Sequence, residues 1–145
     1  MKILLAVDES KFSEEALKTV AGQFPSQGTE VRVLHVLQPI TLSAPPQMAA
    51  GYAPELEAQE KQARELVERA AQTLRGAGFK VEAAVEKGDI REKIIDAAAA
   101  WHAGLIVIGS HGRRGVQRFL LGSVAEFVVR HAPCSVQVVR LASGR

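Results

Sequence analysis

The sequence predicts an α/β fold, an open parallel sheet with helices on both faces. Three observations predict it. Five short apolar runs recur, at residues 3–7, 31–37, 79–85, 105–108 and 136–139. The first and fourth are nearly continuous in apolar residues, as strands covered on both faces are. Segments with three- and four-residue apolar spacing lie between the runs. The order βαβαβαβαβ then requires right-handed crossovers between parallel strands.

The spacing predicts a first helix over residues 11–23, with Phe12, Ala16 and Val20 on one face and Phe24 at its margin. Ser10 suits the N-cap, and Glu14 and Glu15 sit near the positive end of the helix dipole. A second helix is expected over 54–75, with Leu56, Ala63, Leu66, Val67, Ala70, Ala71 and Leu74 in step. "RGAG" then stops it, at Gly76 or Gly78. The third is "IREKIIDAAAAWHAG", stopped by Gly104. The fourth starts at Ser123 and is ended by Pro133. Residues 38–54, "QPITLSAPPQMAAGYAP", carry four of the six prolines. A stretch of that length reads either as a functional lid or as a disordered connection.

At 145 residues the chain is expected to be one domain, 1–145, able to bury its own core. The hydrophobic share of 47% and charged share of 23% suit a soluble globular protein, and a net charge of +2 is too small to argue for nucleic acid. The single cysteine, Cys134, excludes an internal disulfide and a cysteine-based metal cluster. "MKILLAVDES" is broken by Asp8 and Glu9 too early for a secretory leader, and no run reaches membrane-spanning length. The expected location is the cytoplasm.

In an open parallel sheet, ligands bind beyond the carboxyl ends of the strands where strand order reverses. The segment after the fourth run, "GSHGRRGVQRFLLGSV" (109–124), holds four glycines and three arginines. Glycine permits positive φ and lets backbone N–H groups approach an anion, and a helix N-terminus at Ser123 suits phosphate. A competing local reading is a capping box, Ser123-x-x-Glu126, that satisfies the helix without a ligand. Spacing alone leaves the two open.

This segment resembles the nucleotide-binding signature of the universal stress proteins: Gly, two residues, Gly, nine residues, Gly, then Ser or Thr. Gly109, Gly112, Gly122 and Ser123 match every fixed position. "ILLAVDESKFSEEAL", "GDIREKII" and "RHAPCSVQVVR" are similar to the family's first strand and helix, its entry to the third helix and its last turn, so the likeness spans the chain. It implies a Rossmann-like, adenine-nucleotide alpha hydrolase-like fold with strand order 3-2-1-4-5. It also implies that Gly109, Gly112, Gly122, Ser123 and the N–H of Val124 contact triphosphate and ribose, with His111 facing the nucleotide. Ala6, Val7 and Asp8 would lie against adenosine, Val36 would line the adenine pocket and Ile108 precedes the loop. The implied ligand is ATP, or AMP or ADP. Mg²⁺ would come with ATP and have no direct side-chain ligand; Asp8 reads either as a contact to ligand hydroxyls or, through water, to that Mg²⁺, or simply as an acid before a helix. Glu9 stands where the family often has Gly, and Ser135 where it often has Pro. The last strand, 135–141, would lie at a sheet edge and invites a homodimer.

Other residues read more plainly. His35 is expected as a half-buried strand residue, and His102 and His131 as helix-closing residues that complement the dipole. Cys134 is expected to be a buried, inert thiol. Arg113, Arg114 and Arg118 would either neutralise phosphate or form a solvated rim. No helix-turn-helix, zinc finger or aromatic platform suggests nucleic acid, with aromatics at 5%. No G-x-x-x-x-G-K-[ST] is present, and "SHGR" lacks the second histidine of H-x-G-H. Holding ATP without dedicated catalysis is the preferred reading. A slow ATPase or phosphotransferring enzyme, and a nucleotide-independent interaction module, are the alternatives.

Overall fold

The computed structural model describes residues 1–38, 53–112 and 121–141. Its elements are β1 (Lys2–Ala6), α1 (Lys11–Gln23), β2 (Glu30–Leu37), α2 (Ala53–Gly76), β3 (Lys80–Lys87), α3 (Ile90–Trp101), β4 (Leu105–Gly109), α4 (Ser123–His131) and β5 (Ser135–Val139). The five strands form one parallel sheet in the order β3-β2-β1-β4-β5. Most of the 38–54 stretch, and Arg113, Arg114, Gly115 and Arg118, lie outside the described residues.

Side chains alternate across a strand, so β1 divides its apolar residues between two layers. Ile3 and Leu5, with Val7 just beyond the strand, pack with Ala16 and Val20 of α1 and Val67, Ala71 and Leu74 of α2. Leu4 and Ala6 pack on the other face with Ile94 and Ala98 of α3 and Val128 of α4. Ile3, Leu4 and Leu5 have no exposed surface, which is why this run carries no polar residue.

The helix ends show how local sequence sets each element. Ser10 caps α1, its hydroxyl accepting from the N–H of Ser13 at 3.2 Å. Asp89 caps α3 through the N–H of Glu92. α2 closes in a Schellman motif: Phe79 N–H donates to Leu74 O at 3.0 Å and Gly78 N–H to Arg75 O at 2.9 Å. Gly78 therefore takes the left-handed position at φ 94°, and Gly76 remains helical.

α3 closes in the same way but without glycine. Ala103 N–H donates to Ala98 O and His102 N–H to Ala99 O, with His102 at φ 57°. Gly104, expected as the stop, instead donates its N–H to Lys2 O and ties α3 to the start of β1. The stop falls earlier because the closing bonds select position, and histidine tolerates the left-handed region better than most residues. Lys2 and Arg32 lie over the Trp101 ring at 5.4 Å and 4.7 Å, securing the same end of the sheet.

At the opposite end, β4 finishes against α1. A Cβ on Gly109 would stand 2.7 Å from Phe12 Cβ and 3.0 Å from the Phe12 carbonyl carbon. Gly109 is thus required by space rather than by conformation. Gly109→Ala should destabilise the fold by about 1–3 kcal/mol, the usual range for overpacking. Urea unfolding midpoints measure it, and an unchanged midpoint would contradict the contact. His102→Gly, on an exposed turn, should raise stability by about 0.5–1 kcal/mol through relief of left-handed strain, read in the same titration.

Candidate functional site

The carboxyl ends of β1 and β4 lie side by side, and the segments leaving them converge. After β1 the chain turns at Asp8. Its Oδ1 accepts from the Ser10 N–H at 2.8 Å and from the Ser13 hydroxyl at 2.9 Å. The Asp8 N–H donates to Ser13 Oγ at 2.7 Å. This is an Asx turn that feeds directly into the capped start of α1. Its second oxygen, Oδ2, faces Gly112: a Cβ built there would come within 3.2 Å of it.

After β4, Ser110 N–H donates to Val139 O at 2.8 Å and so follows the edge of β5. Ser110 O accepts from Gly122 N–H at 2.7 Å. That bond brings the return of the loop back to its origin. A Cβ on Gly122 would meet His111 Cα at 3.1 Å and Ser110 O at 3.2 Å. None of Gly109, Gly112 and Gly122 has positive φ. Positive φ is therefore not what these positions use: a Cβ at Gly109 would overlap Phe12, and at Gly112 and Gly122 it would stand tight, at 3.1–3.2 Å, against Asp8 Oδ2 and the loop's own entry.

α4 begins at Ser123, with Gly122 as its N-cap and no side-chain capping bond. The capping box that the motif offered as a competing reading is therefore not formed. Glycine at the N-cap has no side-chain oxygen, and Glu126 turns away to Arg130 at 3.1 Å. The first helical bond is Glu126 N–H to Gly122 O. The N–H groups of Ser123, Val124 and Ala125 thus open the helix beside Gly112, with Ser123 exposed.

The structure brings the apolar residues of the expected site together. Ala6, Val36 and Ile108 belong to the cluster on the α3–α4 face, and Val124 packs against it. Val7 faces the other way, toward α1 and α2. His111 is buried; its Nδ1 is 3.0 Å from Ser110 Oγ and its ring packs on Phe12 at 5.1 Å between centroids. Glu9 is exposed. His35 is half-buried and its Nδ1 lies 2.7 Å from Val7 O, so it secures the end of β1.

The sequence reading missed Ser13, Phe12 and Ser110 as site-building residues. The available signal was the run of Asp8, Ser10 and Ser13, in which an Asx turn and an N-cap overlap.

Two surface clefts lie on the α1–α2 side. One, of about 400 Å³, is bordered by Asp8, Glu9, Glu14, Leu66, Arg69 and Thr73. The other, of about 380 Å³, is bordered by Glu60, Arg64, Val85 and Lys87 at the β3 edge. There the hydrogen bond from Lys87, with its charge, holds the Glu60 carboxyl below the usual range. The signature glycines border neither cleft. Cys134 is half-buried rather than fully enclosed, and burial pushes its thiol upward. Among the described residues no three of His, Cys, Asp and Glu gather to hold a metal ion, and no helix is long and apolar enough to cross a membrane.

Comparison with known proteins fits this architecture. Universal stress protein Sll1388 of Synechocystis is 31% identical over 96% of this chain and 97% of its own length. The solved structure of hypothetical protein MJ0577 superposes with a TM-score of 0.85 at 29% identity, covering 99% of this chain and 97% of that one. A universal stress protein family protein from Arabidopsis thaliana, solved with AMP bound, shares the fold at a TM-score of 0.74 and 20% identity, over 99% of this chain and 93% of that one. The model of the universal stress protein family matches residues 1–140. The chain belongs to the universal stress protein family.

Proposed function

We propose that this chain is an ATP-binding regulatory protein that holds adenine nucleotide with little or no turnover. One observation carries the reading: the glycine-capped start of α4 opens beside Gly112 and the Asp8 carboxylate, at the carboxyl ends of adjacent parallel strands. In this reading the Gly112 N–H and the first N–H groups of α4, from Ser123 and Val124, receive the phosphates, where helix dipole and free donors coincide. The Ser123 hydroxyl adds a donor. Gly109 and Gly122 act by making room for this approach. Ala6, Val36 and Ile108 supply an apolar wall for the base, and Val7 and Asp8 bound the adenosine.

Mg²⁺ would arrive with the ATP, with Asp8 Oδ2 within reach through water. His111 enters as a loop residue whose ring is already packed on Phe12, so it shapes the cradle from behind. The AMP held by the Arabidopsis protein supports an adenine nucleotide here. The whole chain, 1–145, acts as one cytoplasmic domain. Its output is a change in partner contacts rather than a product.

MgATP at one hundred times its Kd should raise the melting temperature by roughly 5 °C or more, as expected for a ligand that binds only the folded state. No shift at millimolar MgATP would sink the reading and favour a nucleotide-independent module. HPLC of the nucleotide after overnight incubation should return mostly ATP. Conversion of the pool to ADP would favour a slow ATPase instead.

The β5 edge, with Val136 and Val138 only half-buried, suits pairing with a second copy of itself. Light scattering at roughly 100 μM should report a dimer, a closed symmetric assembly being the common outcome. Val138→Pro should return it to monomer: Val139 bonds inward to Ser110, so the N–H of the preceding residue faces the open edge, and proline removes that donor. A wild-type monomer at that concentration would contradict the pairing.

A further inference from the structure

We propose that Ser13 is a positioning residue that aims Asp8 at the bound nucleotide. The proposal rests on the nucleotide reading of the site and goes beyond its signature residues. Ser13 lies in the first turn of α1 and is 7% exposed. Its hydroxyl meets Asp8 twice, accepting from the Asp8 N–H at 2.7 Å and donating to Asp8 Oδ1 at 2.9 Å. Only a group that is donor and acceptor at once closes such a bridge. The Ser13 N–H is itself held by Ser10 Oγ, so the hydroxyl is fixed at both ends of its own residue.

The consequence falls on the carboxylate. Aspartate χ2 is otherwise a broad, nearly two-fold torsion. Two donors, the Ser10 N–H and the Ser13 hydroxyl, select one oxygen and fix that torsion. Oδ2 is thereby turned toward Gly112 and the start of the loop. An aspartate already set in its bound orientation gives up little freedom when ligand arrives, which strengthens binding without a new contact. Ser13 thus acts on the ligand through Asp8 and α1, with no requirement to touch it.

The test is isothermal titration of MgATP into wild type, Ser13→Ala, Ser13→Thr, Asp8→Ala and the Asp8→Ala/Ser13→Ala pair. Val20→Ala, which removes core volume from the same helix away from Asp8, serves as the stability control. Ser13→Ala should weaken binding roughly tenfold, the scale of one hydrogen bond to a charged group. Ser13→Thr, which keeps the hydroxyl, should restore most of it. Val20→Ala should stay within about twofold of wild type despite its lower melting temperature. In the Asp8→Ala background, Ser13→Ala should add no further loss, because the route through the carboxylate is gone.

Wild-type affinity in Ser13→Ala would overturn the proposal. So would a loss in Val20→Ala equal to that in Ser13→Ala, or a tenfold loss that persists without Asp8. If Ser13→Ala does not fold, Ser13→Cys takes its place. It keeps the volume with a weaker donor, and wild-type affinity there overturns the proposal equally. A wild-type protein that takes up no MgATP defeats the nucleotide reading itself, an outcome distinct from all of these.

Discussion

The carboxyl end of this sheet is organised by one close approach, that of α1 to the last residue of β4. With Phe12 backbone and Cβ atoms 2.7–3.1 Å from where a side chain at position 109 would begin, helix and strand meet at backbone distance. That contact places the Asp8 turn beside the exit of β4. Ser110 then follows β5 through Val139 O and receives Gly122 N–H on its own carbonyl. Four elements meet around three consecutive residues, 109–111. Moving α1 outward by the width of a methyl group would separate Asp8 from Gly112 and loosen the packing of Phe12 on His111. The glycine at 109 is therefore a condition of this junction.

The two faces of the sheet contribute differently. Residues 4 and 6 of β1, with Val36 and Ile108, build an apolar layer with α3 and α4 that continues to the edge of the sheet. Residues 3, 5 and 7 are committed to α1 and α2. An apolar wall and a helix N-terminus therefore meet on the same side, at the same end. A nucleotide has this division of character, with a flat base at one end and anionic phosphates at the other. Neither surface cleft on the α1–α2 face offers it: both are bordered by exposed charged side chains, several already ion-paired.

The sheet was readable because its signals are local and redundant. Short runs without polar residues, bounded by turn signals, suit interior strands, and the intervening helices show their buried stripe directly, as Ala63, Val67, Ala70, Ala71 and Leu74 do in α2. Ser10 as a cap was readable for the same reason, since the bond spans three residues. What sequence could not supply were features decided by contacts between distant segments. The motif Ser123-x-x-Glu126 looks like a capping box, but Gly122 is drawn to Ser110 O and takes the N-cap itself. The helix start is set by a residue twelve positions away. His102 was legible as a helix-closing residue, but not its left-handed φ, which is an exception for histidine that the closing bonds impose. Positive φ, one of the two reasons the glycines suggested, is not used at 109, 112 or 122, and the close approach of a neighbouring segment leaves no trace in local pattern.

That distinction bears on what the signature means. Residues 112 and 122 lie beside each other, a Cβ on Gly122 being 3.7 Å from Gly112 N, and the bond from Gly122 N–H to Ser110 O secures the return. Closing such a loop does not itself require nine intervening residues. Loop entropy grows only as the logarithm of length, so a loop half as long again would cost roughly 0.4 kcal/mol more. Side-chain exclusion accounts for the glycines at each end, yet it says nothing of the count between them. In the proposed reading the donors that begin α4 receive an anion, and the count belongs to that reading. The glycines build the junction, and it is the signature as a whole, not any single glycine, on which the proposed nucleotide reading rests.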